Sequence, residues 1–526
     1  VTREIVPLLA LALVALLPAA SVRAESAALA FHGARVLPSG LVVALGSVSV
    51  DGAAAPLAVV VDSSGRVVSS FYLKIGGRGA LLDAFLANGS LVAVGYVDSV
   101  VGRRAVLAVK VRGGKVEWSA ALGSGFVDFA RCTAPFGGGY ALAGVTQPPG
   151  ASDSDALLLF VDEGGALRGA YAVGAYMYND FAERCYSAGG ALLLVGSTWS
   201  HNVSYSDSLL IDAERGAFTT LGGAGRDEGF AAAILQDGSV VVVGSTFSAP
   251  GGLSDAFYAV VREGSFKAFT VGWPGYDGFV DVCQIGGKLY VLGYSVQEGG
   301  ERGLLFRAGE SGFERGVALK CEGDLIPLAV GAWGEEVVAV FSHSGTLVVV
   351  TFNSDLKPLR AFAVGYTAPP LVRVLEVKSV GQRSRAAEGW SLKSQALAPK
   401  RVELQSAPLA AELAPLDLPS RSVAVEEGVL EEGEPLWKTL LRLVEGNIPL
   451  LILAIPLAAV VIAVILKHSA EHCAGKLKKL LPSTRRSPGR IARPSNRLAS
   501  LGSWCASCYQ KTKNYIPYFC SLFNSN

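Results

Sequence analysis

The chain has 526 residues, of which 51% are hydrophobic, 17% are charged and 62 are glycine. That composition excludes a disordered or collagen-like chain and describes a strand-and-turn protein with apolar inserts. The net charge of +1 hides an asymmetry: from Lys467 onward 11 Lys and Arg face one acid, Glu471, whereas residues 25–466 hold 33 basic and 43 acidic residues. An acid excess over the large part argues against a nucleic-acid partner, and the split places the two ends in different compartments.

Residues 1–24 have the parts of a secretory signal: Arg3, an apolar run from Val6 to Ala20, and small residues Val22 and Ala24 before a cleavage point. Val1 in place of Met is what a GTG start codon read literally gives, which leads to the expectation of a prokaryotic source. Near the other end, residues 448–466 form nineteen uncharged residues, IPLLILAIPLAAVVIAVIL, enough to cross about 30 Å of hydrocarbon at 1.5 Å per residue. Lys467, Lys476, Lys478 and Lys479 follow, so the positive-inside rule puts the tail, residues 467–526, in the cytoplasm. The expected topology is a single-pass protein of the cell membrane with its large part outside.

Between these ends a glycine closing an apolar run recurs at Gly46, Gly95, Gly144, Gly196, Gly244 and Gly293, with spacings of 49, 49, 52, 48 and 49 residues. A seventh copy, VVAVFSH, puts Val340 and Phe341 at the corresponding place. Each period carries four short β-type runs separated by Gly, Asp and Ser turns, as in DEGFAAAI, VVVVGST, SDAFYAVV and FKAFTVG, which is the size of one propeller blade. Such a unit must stack against its neighbours to bury both faces. The expectation is an all-β protein whose residues 27–366 form a seven-bladed β-propeller. Residues 367–446, rich in Pro, Ala and Glu, read as an extended stalk ahead of the single membrane helix.

The segments DGSVVVVGSTFSAPGGLSDAFYAVV (237–261) and GGALLLVGSTWS (189–200), followed by YSDSLLI (205–211), resemble the SBBP and delta-60-type β-propeller repeats of prokaryotic surface and secreted proteins. The likeness covers about two thirds of the chain and implies the fold, with little said about function. The first unit lacks the start motif, and the seventh lacks both G-S-T and S-D-A.

Aspartates recur in register. Asp128, Asp180, Asp277 and Asp324 lie sixteen residues before the marker position and Asp227 seventeen, so in a propeller they ring one rim. A ring of carboxylates binds a cation or a basic ligand; the plainer reading is acceptance of backbone N–H bonds in the turns that open each unit. Asp155, Asp207 and Asp255, each in an S-D-[AS] strand start, read as local turn chemistry. Cys132, Cys185, Cys283 and Cys321 fall in the innermost strands, where disulfides between adjacent blades (Cys132 with Cys185, Cys283 with Cys321) and free buried thiols are both open. Asn88 and Asn202 head glycosylation sequons.

No catalytic constellation emerges. His32, His201 and His343 occupy unrelated positions, and neither a G-x-S-x-G elbow nor a P-loop occurs. HSAEH (468–472) has the spacing of an inverted zinc-protease motif, but no Asp or Glu follows Glu471 to complete it, and the single CxxC at Cys505 and Cys508 has irregular partners. Neither metal nor cofactor is expected. The leading expectation is a binding module for an envelope protein, glycan or peptide at a propeller rim, with the loop aromatics Trp199, Tyr205, Trp273 and Tyr276 as contacts. The alternatives are an exported hydrolase or lyase using rim acids such as Asp180 and Asp227, and a structural component of the envelope.

Overall fold

The computed structural model describes residues 28–430, apart from residues 99, 175–176, 189, 201–204, 250–252, 298–299, 367–370, 379–384, 388 and 397–399. The expected signal segment, membrane span, tail and sequon at Asn202 lie outside the described residues. Among the described residues the chain is all-β, with no helix and hence none long and apolar enough to cross a membrane.

Strands follow one another as antiparallel four-stranded meanders: 1, Leu29–Lys74; 2, Gly79–Gly123; 3, Val127–Val173; 4, Asp180–Gly222; 5, Asp227–Val271; 6, Tyr276–Lys320; and 7, Ile326–Val364. The repeat supplies each meander's two apolar faces through the alternation of a pleated strand. In meander 1, Val42 and Ala44 pack against meander 7, while Val43 and Leu45, one step out of phase, pack against meander 2. The same alternation returns in meander 7, where Val338 and Val340 face meander 1 and Val337 and Ala339 face meander 6. Each hydrophobic cluster therefore belongs to a seam between two meanders, and the seams run in order from 1–2 to 6–7 and back through 7–1. The first strands of successive meanders touch in that same cyclic order.

The marker glycine has a steric cause. Each first strand carries a bulge, with register shifts at Phe31/Gly33, Leu81/Asp83, Ala182/Arg184, Gly229/Ala231, Phe279/Asp281 and Pro327/Ala329, and opposite Arg131 in meander 3. The bulge turns a carbonyl of the first strand toward the second. A Cβ on Gly46, Gly95, Gly144, Gly196, Gly244 or Gly293 would fall on that carbonyl oxygen, Ala30 O for Gly46 and Glu228 O for Gly244. Phe341 takes the corresponding place in meander 7, opposite Pro327, and its ring fills the space left by Gly303 of meander 6.

Residues 371–430 correct the stalk expectation. This segment returns around the outside of the meanders in the reverse of chain order and adds a fifth strand to each. Leu371–Glu376 pairs with meander 6, Arg385–Ala386 with 5, Ser391–Ala396 with 4, Lys400–Arg401 with 3, Gln405–Pro408 with 2 and Glu412–Pro415 with 1. Ser420–Val429 then pairs antiparallel with meander 7 and parallel with Leu371–Glu376, so the return strand closes on its own beginning. The prolines and alanines that suggest a spacer instead suit short edge strands, where Pro sacrifices no ladder bond on its outward side. Leu416 and Leu418 are buried in the seam between meanders 7 and 1, and Trp390 packs on Phe257 at a centroid distance of 4.9 Å.

Substituting Leu416 by Ala is expected to cost about 2 to 4 kcal/mol of unfolding free energy. Replacing the exposed Glu412 by Ala should cost under about 0.5 kcal/mol. Urea denaturation of both variants checks this; equal effects would mean that the return strand is a loose tether.

Candidate functional site

The two rims of the molecule differ in construction. On the rim opposite the starts of the first strands, connections are tight: Asn88–Gly89, Gly137–Gly138 and Gly286–Gly287 turn with positive φ at both residues. Asn88, the first sequon residue, is exposed in one of these turns, and its φ of 48° is one that Asn tolerates. On the leading rim, where the first strands begin, meanders 3, 4 and 5 have longer connections between second and third strands, at residues 148–154, 199–206 and 247–254.

The expected aspartate ring lies just beneath this leading rim, but as internal scaffolding. Asp128, Asp180, Asp227 and Asp277 are 0% exposed. Asp128 accepts hydrogen bonds from Ser124 N (2.7 Å) and Thr146 Oγ1 (2.6 Å), Asp227 from Gly223 N (2.7 Å), Ser248 Oγ (2.8 Å) and Thr246, Asp180 from Ser200 Oγ (2.9 Å), and Asp277 from Trp273 N (2.7 Å). Their role is the turn chemistry of the plainer reading. Asp324 alone of the five is exposed; it accepts from Glu301 N at 2.9 Å.

Asp155, Asp207 and Asp255 do more than close local turns. Each projects from a third strand toward the Asp that opens the next meander. A Cβ on Gly222 would meet both Asp207 Oδ1 at 2.5 Å and Asp227 Oδ2 at 2.9 Å, and Gly174 is wedged in the same way between Asp155 and Asp180. A cation of the return strand lies within electrostatic reach of one acid of each pair: Lys400 acts on Asp155, Lys393 on Asp207 and Arg385 on Asp255. The register is the same three times, since Lys400 pairs with Ala172, Lys393 with Thr220 and Arg385 with Thr270. Burial, followed by the charge of Asp227, pushes the Asp207 carboxyl up to about 6, against the opposing pull of Lys393. Burial likewise pushes Asp277 up to about 7, with the Asp255 charge adding to it.

Sequence reasoning missed a second charged group at the inner strands. Asp83 accepts from Arg35 Nε (2.7 Å) and Nη2 (2.6 Å) and from Thr133 N (2.9 Å), tying meanders 1, 2 and 3 together. Asp281 accepts from Val330 N at 2.8 Å across seam 6–7, and Tyr186 Oη accepts from Ala232 N at 2.9 Å across seam 4–5. The available signal was positional: Asp83, Arg184 and Asp281 each lie twelve residues before a marker glycine. The four expected cysteines are free thiols. Cys132 and Cys185 are buried side by side at seam 3–4, Cys283 lies among the inner strands of meander 6, and Cys321 meets His343 Nδ1 at 3.3 Å near the leading rim, so the proposed Cys283 partner is elsewhere.

The aromatics divide. Trp273 is buried at 5% exposure and packs on Phe306, which corrects its assignment as a surface contact. Trp199 is half-buried against Phe181, with Arg226 over its ring at 5.5 Å. Tyr205 and Tyr276 are exposed, and they are joined along the leading rim by Met177, Tyr178, Phe247, Leu253, Val296 and Ile326. These side chains are strung along the leading rim of meanders 4 to 7 as an apolar arc, at the ends of the strands that carry the buried carboxylate pairs. Phe247 and Tyr276 bridge meanders 5 and 6, ring centroids 6.4 Å apart.

No family model and no curated protein matches the sequence. Solved structures resembling the chain include Sqt1 from Chaetomium thermophilum, 11% identical with a TM-score of 0.36 over 71% of this chain and 98% of that one. A Bombyx mori GH32 beta-fructofuranosidase in complex with sucrose is 12% identical, with a TM-score of 0.23 over 66% of this chain and 91% of that one. Scores this low assign no activity.

The raised carboxyls fix a pH dependence. A folded-state pKa above the unfolded value of about 3.9 means that the folded protein binds more protons, so stability falls as pH rises from about 4 through 7. Thermal melting should therefore occur at higher temperature at pH 5 than at pH 8, and Asp277→Asn should flatten that slope. Lys393→Met should destabilise at pH 8 and much less at pH 5; an equal loss at both pH values would mean that Lys393 acts by packing alone.

Proposed function

We propose that the protein is a binding module of the cell surface: a seven-bladed β-propeller, exported and held to the membrane by residues 448–466, that engages a partner through the leading rim. The observation carrying this reading is the apolar arc. Eight large hydrophobic residues, from Met177 at 69% exposure to Val296 at 37%, gather on one rim of four consecutive meanders. Only Leu359 and Val429 among the exposed large hydrophobics of the described residues lie elsewhere. Exposed apolar groups scattered singly need no explanation, whereas eight gathered on the looped rim of a rigid scaffold mark an interaction site.

Burial of the expected catalytic acids favours binding over hydrolysis. Asp180 and Asp227, the pair suited to a hydrolase or lyase, are 0% exposed and occupied by Ser and Thr hydroxyls, so neither reaches a substrate from the rim. The membrane side of the reading rests on the sequence: the basic tail, the uncharged nineteen-residue run and the signal-like start. Four of the arc residues are aromatic, a residue class enriched among interface hot spots.

Changing Tyr205 and Tyr276 together to Ser should leave the melting temperature within about 2 °C and lower partner capture at least about tenfold. The measurement is crosslinking of the full-length protein in its native membrane with quantitative mass spectrometry. Unchanged capture by a folded variant would refute the rim assignment.

A further inference from the structure

Taking the leading rim as the binding surface, we infer that its partner is a protein segment carrying a Lys or Arg beside apolar side chains, with the cation seated between meanders 6 and 7. The geometry of that end of the arc is specific. Tyr276 pairs with Val296, and Val296 pairs with Glu301, so the three stand side by side across neighbouring strands. Leu325 N donates to Glu301 O at 3.2 Å and Glu301 N to Asp324 Oδ1 at 2.9 Å, which brings Ile326 and a second carboxylate alongside. Tyr276 and Ile326 are 45% and 46% exposed and Asp324 is exposed, so apolar and acidic groups meet on one accessible patch.

The patch carries two acids, and the neighbouring Arg302 is buried, with its guanidinium over the Trp273 ring and donating to Ser295 Oγ at 3.3 Å. Among the described residues neither Glu301 nor Asp324 is in an ion pair. Burial, and then the charge of Asp324, raises the Glu301 carboxyl above its ordinary value. The third strands of meanders 3, 4 and 5 differ, because there one acid of each pair feels a cation of the return strand. Arg226, the exposed cation on the arc, is already held by Glu228 at 2.6 Å. A bound Lys or Arg supplies an opposite charge, and its apolar neighbours cover Tyr276, Phe247 and Leu253 in the direction of meander 5. A neutral glycan would leave the carboxylates uncompensated, and an acidic one would be repelled.

The test uses purified full-length protein and fluorescent twelve-residue synthetic peptides. One set carries two Lys or Arg at one end followed by Phe and Leu; a second set has Glu in place of the bases; a third has Ser in place of the apolar residues. The basic-apolar set should bind at least about tenfold tighter than either control, weakening with salt. The double variant Glu301→Gln/Asp324→Asn should lose that preference, and Glu301→Lys/Asp324→Lys should transfer it to the acidic set. Equal binding of basic and acidic sets, or a preference that survives Glu301→Gln/Asp324→Asn, overturns the inference while leaving the rim reading standing if Tyr205→Ser/Tyr276→Ser still abolishes binding. Binding of no set, or binding indifferent to the tyrosines, overturns both.

Discussion

A four-stranded antiparallel sheet has two edges, and a ring of such sheets hides only the inner one. The outer strands, from Val67–Lys74 in meander 1 to Pro358–Val364 in meander 7, would each present a row of unpaired N–H and C=O groups to solvent. Every meander is also built from consecutive strands, so among the described residues no exchanged strand within a meander ties meander 7 to meander 1. The return strand answers both needs. It pairs with each outer edge in turn, sends Ala414, Leu416 and Leu418 into the 7–1 seam, and ends in parallel register beside its own start. A single covalent strap thus replaces the exchanged strand, and its interactions are spread over the whole circumference.

The strap also bears on the leading rim. Lys400, Lys393 and Arg385 sit in identical register near Asp155, Asp207 and Asp255, and those acids abut the aspartates that open the next meanders, two residues after Tyr178 and one after Arg226 and Tyr276. Charge at the outer strand is therefore coupled to the turns that hold the apolar arc in place. The seam between meanders 6 and 7 departs from the rule: Arg302 occupies the position that Asp255 holds one meander earlier, beside the half-buried Glu301 and the exposed Asp324. Rigid sheets below and varied loops above are the usual division between scaffold and recognition.

Much of the ring was legible in the sequence because its cause is local and repeated. The marker glycine recurs since a bulged carbonyl excludes any Cβ at that point, and strand alternation states both buried faces. The return strand was not legible for a physical reason: its pieces are as short as Arg385–Ala386 and Lys400–Arg401, too short for period-two alternation, and their pairing partners lie more than a hundred residues away. Composition alone then favours a spacer. The aspartates were located correctly but their burial was not, because exposure depends on the neighbouring meander. Trp273 was misassigned for the same reason, while Tyr205 is exposed in its loop and Tyr276 is exposed at the start of a first strand instead of in a loop. Met177, Phe247 and Leu253 were passed over as ordinary loop residues, and only their gathering on one rim gives them meaning.

Native-state hydrogen exchange followed by mass spectrometry addresses the strap most directly, since the amides of residues 371–376, 391–396 and 420–429 can be read as separate peptides. If the return strand closes the ring, these amides exchange slowly and in concert with the outer strands they pair with, in one cooperative opening. Rapid, independent exchange of the 391–396 and 420–429 peptides, with the meanders still protected, would contradict the account and return this segment to the status of a tether.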